Sequence, residues 1–139
     1  MKILGIDLGK ARTGVAISDE GERLASPLTT IEERNQEKLI ERICKVIKDE
    51  KVKKVILGLP KNMDGTEGKN AQNFRKFGKI LEEKTGLEIF MQDERGTTIT
   101  ANEYLNEVNI NKKKRKKIID TVSATVILQD YLNSTKNSK

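Results

Sequence analysis

The alternation of short apolar segments with amphipathic helical segments constrains the fold of this chain more than any other feature. Apolar segments at residues 2–8, 53–60 and 87–94 are separated by helical patterns at 36–51 and 70–84. Because strands joined by a helical crossover run parallel in one sheet, these three segments are predicted to be parallel strands of a single sheet.

Two further strand-like segments, at 13–18 and 23–30, follow the first strand closely, and their short connections favour an antiparallel meander. Helical patterns at 97–108 and 116–132 complete the order βββαβαβαα. The predicted fold class is therefore α/β. We expect a five-stranded mixed sheet, with three antiparallel strands and two strands added by parallel helical crossovers, and with helices on both faces.

The composition narrows the class of function. The 139 residues suit one domain, expected over 1–133, followed by a disordered polar tail over 134–139. No apolar stretch approaches the roughly 18 residues that span a bilayer, so we expect a cytoplasmic protein without a membrane partner. The chain has no histidine and a single cysteine, Cys44, which excludes Ser-His-Asp triads, histidine bases and histidine-ligated zinc.

The charge balance favours a polyanionic partner. Lysine and arginine number 27 against 21 for aspartate and glutamate, which gives a net charge of +6. The chain has only three phenylalanines and two tyrosines and lacks tryptophan. For a nucleic-acid partner, contacts to phosphates rather than base stacking would then supply most of the affinity.

Asp7 lies inside an apolar strand, with Gly5 and Gly9 two residues away on either side. A strand in the middle of a sheet is covered on both faces, where a bare carboxylate is costly unless a cation or hydrogen-bond donors compensate. The two glycines remove side-chain bulk where a ligand or metal could lie. The alternative is that Asp7 caps the loop at 9–12, and from this strand alone the two interpretations carry equal weight.

Three further acids follow later in the chain. Asp93 and Glu94 end the last predicted strand, and because adjacent strand residues point to opposite faces, only one of them would join Asp7. Alternatively, both begin the next helix, where acidic groups suit the positive end of the dipole. Asp120 interrupts an apolar helix that offers little solvated face. Ligands gather at the carboxyl ends of parallel strands, which is where Asp7, the loop at 59–68 and the Asp93–Glu94 pair are expected.

Carboxylates without histidine indicate a hard cation with oxygen ligands, Mg²⁺ or Mn²⁺. Two such ions about 4 Å apart would activate water and stabilise a leaving oxygen in phosphodiester cleavage. The basic run at 112–117 is predicted to be a phosphate-contacting loop, because positive charge is unfavourable at a helix N-terminus. A solvated loop is the alternative. Neighbouring arginines could bind phosphate or pair with the acids. The substrate-binding candidates are Arg12, Arg95, Lys112, Lys113, Lys114 and Arg115.

Four segments, "GIDLGKARTGVAISD", "GLPKNMDGTEG", "DERGTT" and "DTVSATVILQDYL", together resemble the YqgF family of Holliday-junction resolvase-like nucleases, also called RuvX. The similarity stops only in the polar tail. It implies a ribonuclease H-like fold and a cytoplasmic nuclease that matures the 5′ end of the 16S ribosomal RNA precursor. By position, it implies Asp7, Glu94 (or Asp93) and Asp120 as catalytic metal ligands. Gly96 and Ser123 depart from the family pattern, which often has a bulkier apolar residue and an alanine there.

The leading hypothesis is a metal-dependent endonuclease with two ions that acts on structured nucleic acid. RNA is favoured over DNA, and the assembling small ribosomal subunit is a further expected partner. Three alternatives stay open. They are a DNA Holliday-junction resolvase, a non-catalytic RNA-binding ribosome-assembly factor, and an actin-like ATP-binding module, although 139 residues leave no space for the second lobe of that module. The sequence carries no indication of oligomeric state.

Overall fold

The computed structural model describes residues 1–59, 68–93 and 112–137, with side chains at 1–59, 68, 71–92 and 121–135. In chain order its elements are β1 Ile3–Asp7, β2 Arg12–Ser18, β3 Ala25–Glu32, α1 Gln36–Asp49, β4 Lys54–Leu59, α2 Lys69–Thr85, β5 Glu88–Asp93 and α3 Lys112–Asn137. Residues 60–67 of the loop predicted at 59–68 lie outside the described residues, as does the helix predicted at 97–108.

The five strands form one sheet in the order β3-β2-β1-β4-β5. The β1–β2 and β2–β3 pairs are antiparallel, whereas β1–β4 and β4–β5 are parallel. The predicted mixed sheet is confirmed, and β1 takes its central position because the meander extends it on one side and the helical crossovers on the other. The carboxyl ends of β1, β4 and β5 therefore lie along one edge of the sheet.

Helices cover both faces of the sheet, as predicted. On one face, α1 and α2 pack on large aliphatic side chains, among them Leu4, Ile6, Val55 and Leu57. On the other face, α3 packs on a smaller cluster of strand residues, namely Ile3, Ala16, Ala25 and Ile56. Strand residues alternate between the two clusters because successive side chains point to opposite faces.

Local signals set the ends of α1 and α2. The side chain of Asn35 accepts a hydrogen bond from the Lys38 backbone N–H at 3.0 Å, and so caps α1. Gly86 ends α2 in a left-handed conformation with φ of 70°, which is the C-terminal signal that the sequence predicted there. None of the helices that the structure describes combines the length and apolar character needed to span a bilayer.

The last helix is longer than predicted at both ends. It begins at Lys112 rather than at residue 116, so the basic run predicted as a loop forms its first turns. Lysine and arginine are strong helix formers, and an exposed charge at the unfavourable end of the dipole costs only about 0.3–1 kcal/mol. The helix also continues past Leu132 to Asn137, and the hydroxyls of Ser134 and Thr135 donate to the Tyr131 and Leu132 carbonyl oxygens.

Candidate active site

Asp7 ends β1 and lies half-buried at the carboxyl edge of the sheet. Its neighbour on β2 is Gly14, and Gly14 in turn pairs with Thr30 on β3. On the other side, Ile6 pairs with Leu57, so the next residue of β4, Gly58, follows at the level of Asp7. The carboxylate is therefore flanked on both neighbouring strands by residues without side chains.

The glycines beside Asp7 across the sheet differ from those that the sequence singled out. Gly5 and Gly9 were expected to leave space for a ligand, and that expectation is wrong. A Cβ at Gly5 would lie 2.7 Å from the Leu128 Cβ, so this glycine admits α3. A Cβ at Gly9 would lie 2.1 Å from the Arg12 carbonyl oxygen, so this glycine serves the turn between β1 and β2.

Gly14 and Gly58 are the positions that sequence reasoning missed. Both are buried, and each lies inside a strand. A glycine in the interior of a strand weakens it and often marks close approach by another group. That signal was visible in "TGVAIS" and "VILGLP", but only the strand register shows that both glycines lie next to one carboxylate.

The first residue of α3 with a described side chain, Thr121, lies at the same level as Asp7. The Thr121 hydroxyl of α3 lies 3.1 Å from the Thr30 hydroxyl, and Thr30 belongs to the row of residues that contains Gly14 and Asp7. Further along, the backbone carbonyl of Ala124 lies over Gly5. The helix thus runs antiparallel to β1 and brings its N-terminal part to the carboxyl edge of the sheet.

The structure describes the remaining predicted residues to different extents. Arg12 begins β2, half-buried, and lines a surface recess with Glu32, Glu33 and Arg34. Asp93 ends β5, where its backbone pairs with Leu59. Asp120 and the basic residues Lys112, Lys113, Lys114 and Arg115 belong to α3. Glu94 and Arg95 lie outside the described residues.

Among the side chains that the structure describes, no three acidic or cysteine groups converge as a metal site. Of the three predicted metal ligands, only Asp7 belongs to that set. The convergence of Asp7 with Glu94 and Asp120 therefore stays a prediction. The backbone positions of β1, β5 and α3 are the observations that bear on it.

Solved structures with a similar architecture identify the fold of this chain. Thermus thermophilus RuvC in complex with a Holliday junction substrate matches with a TM-score of 0.63 at 11% identity, over 99% of this chain and 97% of that chain. The fowlpox virus resolvase, in a complex with Holliday junction DNA, matches with a TM-score of 0.62 at 12% identity, over 97% and 99%. At these identities the likeness shows the fold alone, which is the ribonuclease H-like fold of resolvases.

The particular family follows from the sequence comparisons. The model of the family "RuvX: Holliday junction resolvase" matches residues 1–134. A Clostridium botulinum relative is 44% identical over 96% of this chain and 97% of its own. One from Caldanaerobacter subterraneus is 42% identical over 99% and 100%. Both are named "Putative pre-16S rRNA nuclease". This chain belongs to the RuvX family, which confirms the predicted family, the predicted fold and the predicted class, a hydrolase acting on ester bonds.

Proposed function

We propose that this protein is a divalent-metal-dependent endonuclease that cleaves phosphodiester bonds in structured nucleic acid. Its substrate is the 5′ region of the 16S ribosomal RNA precursor, within or beside the assembling small ribosomal subunit. The names of the relatives at 42–44% identity support this substrate. The net charge of +6 suits a polyanionic partner.

The observation that carries the proposal is the level of α3 relative to Asp7. Asp120 stands one helical turn, about 6 Å, before Ala124, which lies over Gly5. Asp7 stands two strand residues, about 6.6 Å, beyond Gly5 in the same direction. At 100° per residue, Asp120 also shares a helical stripe with Ala124, Ile127 and Tyr131, all of which are buried in the cluster between α3 and the sheet.

The alternation along β5 favours Glu94 over Asp93 as the second acid. The Phe90 ring lies 5.1 Å from the Tyr131 ring of α3, whereas Met91 packs with the cluster on the opposite face. Residues of even number in β5 therefore share the face of α3, which is also the face of Asp7. Continued by one residue past the end of β5, the same alternation would assign Glu94, and not Asp93, to that face.

We assign Asp7, Glu94 and Asp120 as the ligands of Mg²⁺ or Mn²⁺, with two ions in the site. The donor set fits, because both cations prefer carboxylate oxygens and the residues beside Asp7 on the two neighbouring strands carry no side chains. When bound, the ions supply Lewis acidity and a nucleophile at neutral pH. Asp7, held by the central strand, would hold the ions at a fixed position on the carboxyl edge of the sheet.

The basic candidates neutralise the backbone of the substrate. Lys112, Lys113, Lys114 and Arg115 lie in the first turns of α3, two to three turns before the buried part of the helix. Because successive helical residues are 100° apart, these four spread around the axis and only part of them can face the site. Arg12 and Arg95 flank the acids in sequence and complete the phosphate-binding set.

The test is cleavage of precursor RNA by the purified protein with Mg²⁺ or Mn²⁺. Asp7→Asn should lower the rate by about a hundredfold or more, whereas Asp49→Asn, at the far end of α1, should leave it unchanged. Cleavage that persists in EDTA or in Asp7→Asn would contradict the mechanism. Salt-sensitive binding without any product would favour the non-catalytic assembly factor.

A DNA four-way junction is the second candidate substrate, since the family description and two structural neighbours name the Holliday junction. The same assay should therefore include a four-way junction and a duplex of matched sequence. We expect faster cleavage of the precursor RNA. Symmetrical cuts in the junction, with the RNA left intact, would assign the protein to DNA instead.

A further inference from the structure

A cavity of about 450 Å³ opens on the face of the sheet opposite to Asp7. Its floor is apolar, formed by Leu8 at the end of β1, Leu39 in the first turn of α1, and Phe74 and Phe77 of α2. Leu39 and Phe77 are 4% and 2% exposed, so they belong to the core, whereas Phe74 is only half-buried and presents part of its ring. The volume falls within the range of about 300–1,000 Å³ that is typical of small-molecule sites.

The rim of this cavity is polar and carries positive charge. Gln36 and Asn73 contribute exposed amides, each with donors and an acceptor. Lys10 and Arg34 are exposed, and neither forms an ion pair with another residue that the structure describes. Glu33, the one acid among the described residues of the rim, accepts a hydrogen bond from the Asn35 backbone N–H at 3.3 Å. An aromatic and aliphatic floor beneath amides and two cations matches a nucleobase with its phosphates.

The cavity is continuous in sequence with the proposed active site. Asp7 belongs to the face of α3, and the next residue, Leu8, packs with the cluster on the face of α1 and α2. Gly9 and Lys10 then line the rim. The cavity and Asp7 therefore lie on opposite faces of the same sheet edge, separated by the end of β1.

We propose that this cavity, with Phe74 as its stacking platform, binds one unpaired nucleobase of the nucleic-acid substrate next to the cleaved phosphodiester. This inference rests on the proposed function for the identity of the partner. It adds that the substrate must offer an unpaired nucleotide beside the cleavage position, as at a bulge or a single-stranded end. Lys10 and Arg34 bind the adjoining phosphates, and the amides of Gln36 and Asn73 bind the edge of the base.

Binding measured in EDTA tests the inference separately from cleavage. The probe is a fluorescent duplex with one bulged nucleotide, compared with the same duplex carrying an abasic bulge. Stacking on an aromatic side chain is worth about 1–3 kcal/mol per base, so the wild-type protein should prefer the bulged base by about 5- to 150-fold. Phe74→Leu keeps an apolar side chain in α2 but removes the ring, and it should abolish that preference.

Two variants serve as controls. Phe90→Leu changes an exposed ring, 40% accessible, on the other face of the sheet, and it should keep the preference for the bulged base. Lys10→Ala should weaken the binding of both duplexes equally. It should also reduce the slope of log K against log salt concentration by about one. AMP or UMP at micromolar concentration should fail to displace the bulged duplex.

Two results would overturn the inference. One is a wild-type preference that is absent or that survives Phe74→Leu. The other is displacement by micromolar mononucleotide, which would assign the cavity to a free nucleotide. If the preference holds but no metal-dependent cleavage occurs, the proposed catalysis fails and the base-binding site stands.

Discussion

The two faces of the sheet are built differently, and the difference places the site. Under α1 and α2, the strands present large aliphatic side chains, with Leu4, Ile6 and Leu57 fully buried. Under α3, the central strands also contribute the large Ile3 and Ile56, but Gly5 and Ala16 between them are small. Glycine and alanine let a helix axis approach a sheet more closely than leucine or isoleucine do.

Close approach on the α3 face has a chemical consequence. The backbone of α3 packs closely on the backbone of β1 at Gly5. Because of this close packing, short side chains of its N-terminal half, such as Thr121, reach the strand residues at the level of Asp7. The opposite face, which is separated from its helices by bulky side chains, opens into a cavity at the same edge instead. The face under α3 thus suits the assembly of acids, and the face under α1 and α2 suits the binding of an apolar ligand group.

The largest effect on stability should come from filling the gap under α3. In Gly5→Ala the added methyl would lie 2.7 Å from the Leu128 Cβ and 3.1 Å from the Ala124 carbonyl oxygen, and neither atom can rotate away. We expect a loss of about 1–3 kcal/mol in the free energy of unfolding, measured by urea denaturation.

Gly78→Ala, in α2, is the matched change on the opposite face of the sheet. Its new methyl would lie 2.3 Å from the Met91 Cε, the flexible end of a long side chain. The gain in helix propensity, about 1 kcal/mol, should offset the displacement of Met91, so the stability should stay within about 1 kcal/mol of wild type. Equal losses in the two variants would break the contrast between the faces.

Two buried hydroxyls, one on each face of the sheet, test smaller differences in packing. Ser123 of α3 is 1% exposed and Thr13 of β2 is fully buried, and neither hydroxyl has a partner among the described residues. Since a buried unpaired hydroxyl is costly, Ser123→Ala and Thr13→Val should each raise the free energy of unfolding by about 1 kcal/mol. Thermal and urea denaturation would measure this gain. A loss of stability would reveal a hydrogen bond or another role for that hydroxyl.

The smallest effect on stability concerns the turn between β2 and β3, to which α3 is hydrogen-bonded. Asp19 accepts hydrogen bonds from the Leu24 and Arg23 backbone N–H groups, which hold the pKa of its carboxyl below the ordinary value of 3.8. The amide of Gln129 in α3 binds the same segment, through the Arg23 carbonyl oxygen and the Ala25 N–H.

A folded-state pKa below the unfolded value gives stability that is fully present above 3.8 and is lost as the pH falls through the folded value. Asp19→Asn should therefore be slightly less stable than wild type at neutral pH, and the gap should narrow below 3.8. Denaturation curves of both proteins across this range measure it. A gap that stays constant with pH would show that the charge of Asp19 contributes nothing.

The sequence predicted the sheet well because its patterns are local. The apolar runs and the Gly86 stop identified the strands and α2 directly, and the crossover rule then fixed which strands are parallel. The start of α3 was predicted wrongly, because a dipole penalty was weighed above the helix propensity of lysine. The roles of the glycines depend on register between strands, which no single segment carries, so Gly14 and Gly58 emerged only from the structure.

The central claim is that acids from β1, from the region after β5 and from α3 share one spot at the carboxyl edge. Anomalous scattering from crystals grown with Mn²⁺ tests it most directly. The account predicts strong peaks about 2.1 Å from an Asp7 carboxylate oxygen, with oxygens of Glu94 and Asp120 around them. A density map without ions at Asp7, in which the three carboxylates are held apart by lysine or amide donors, would contradict it.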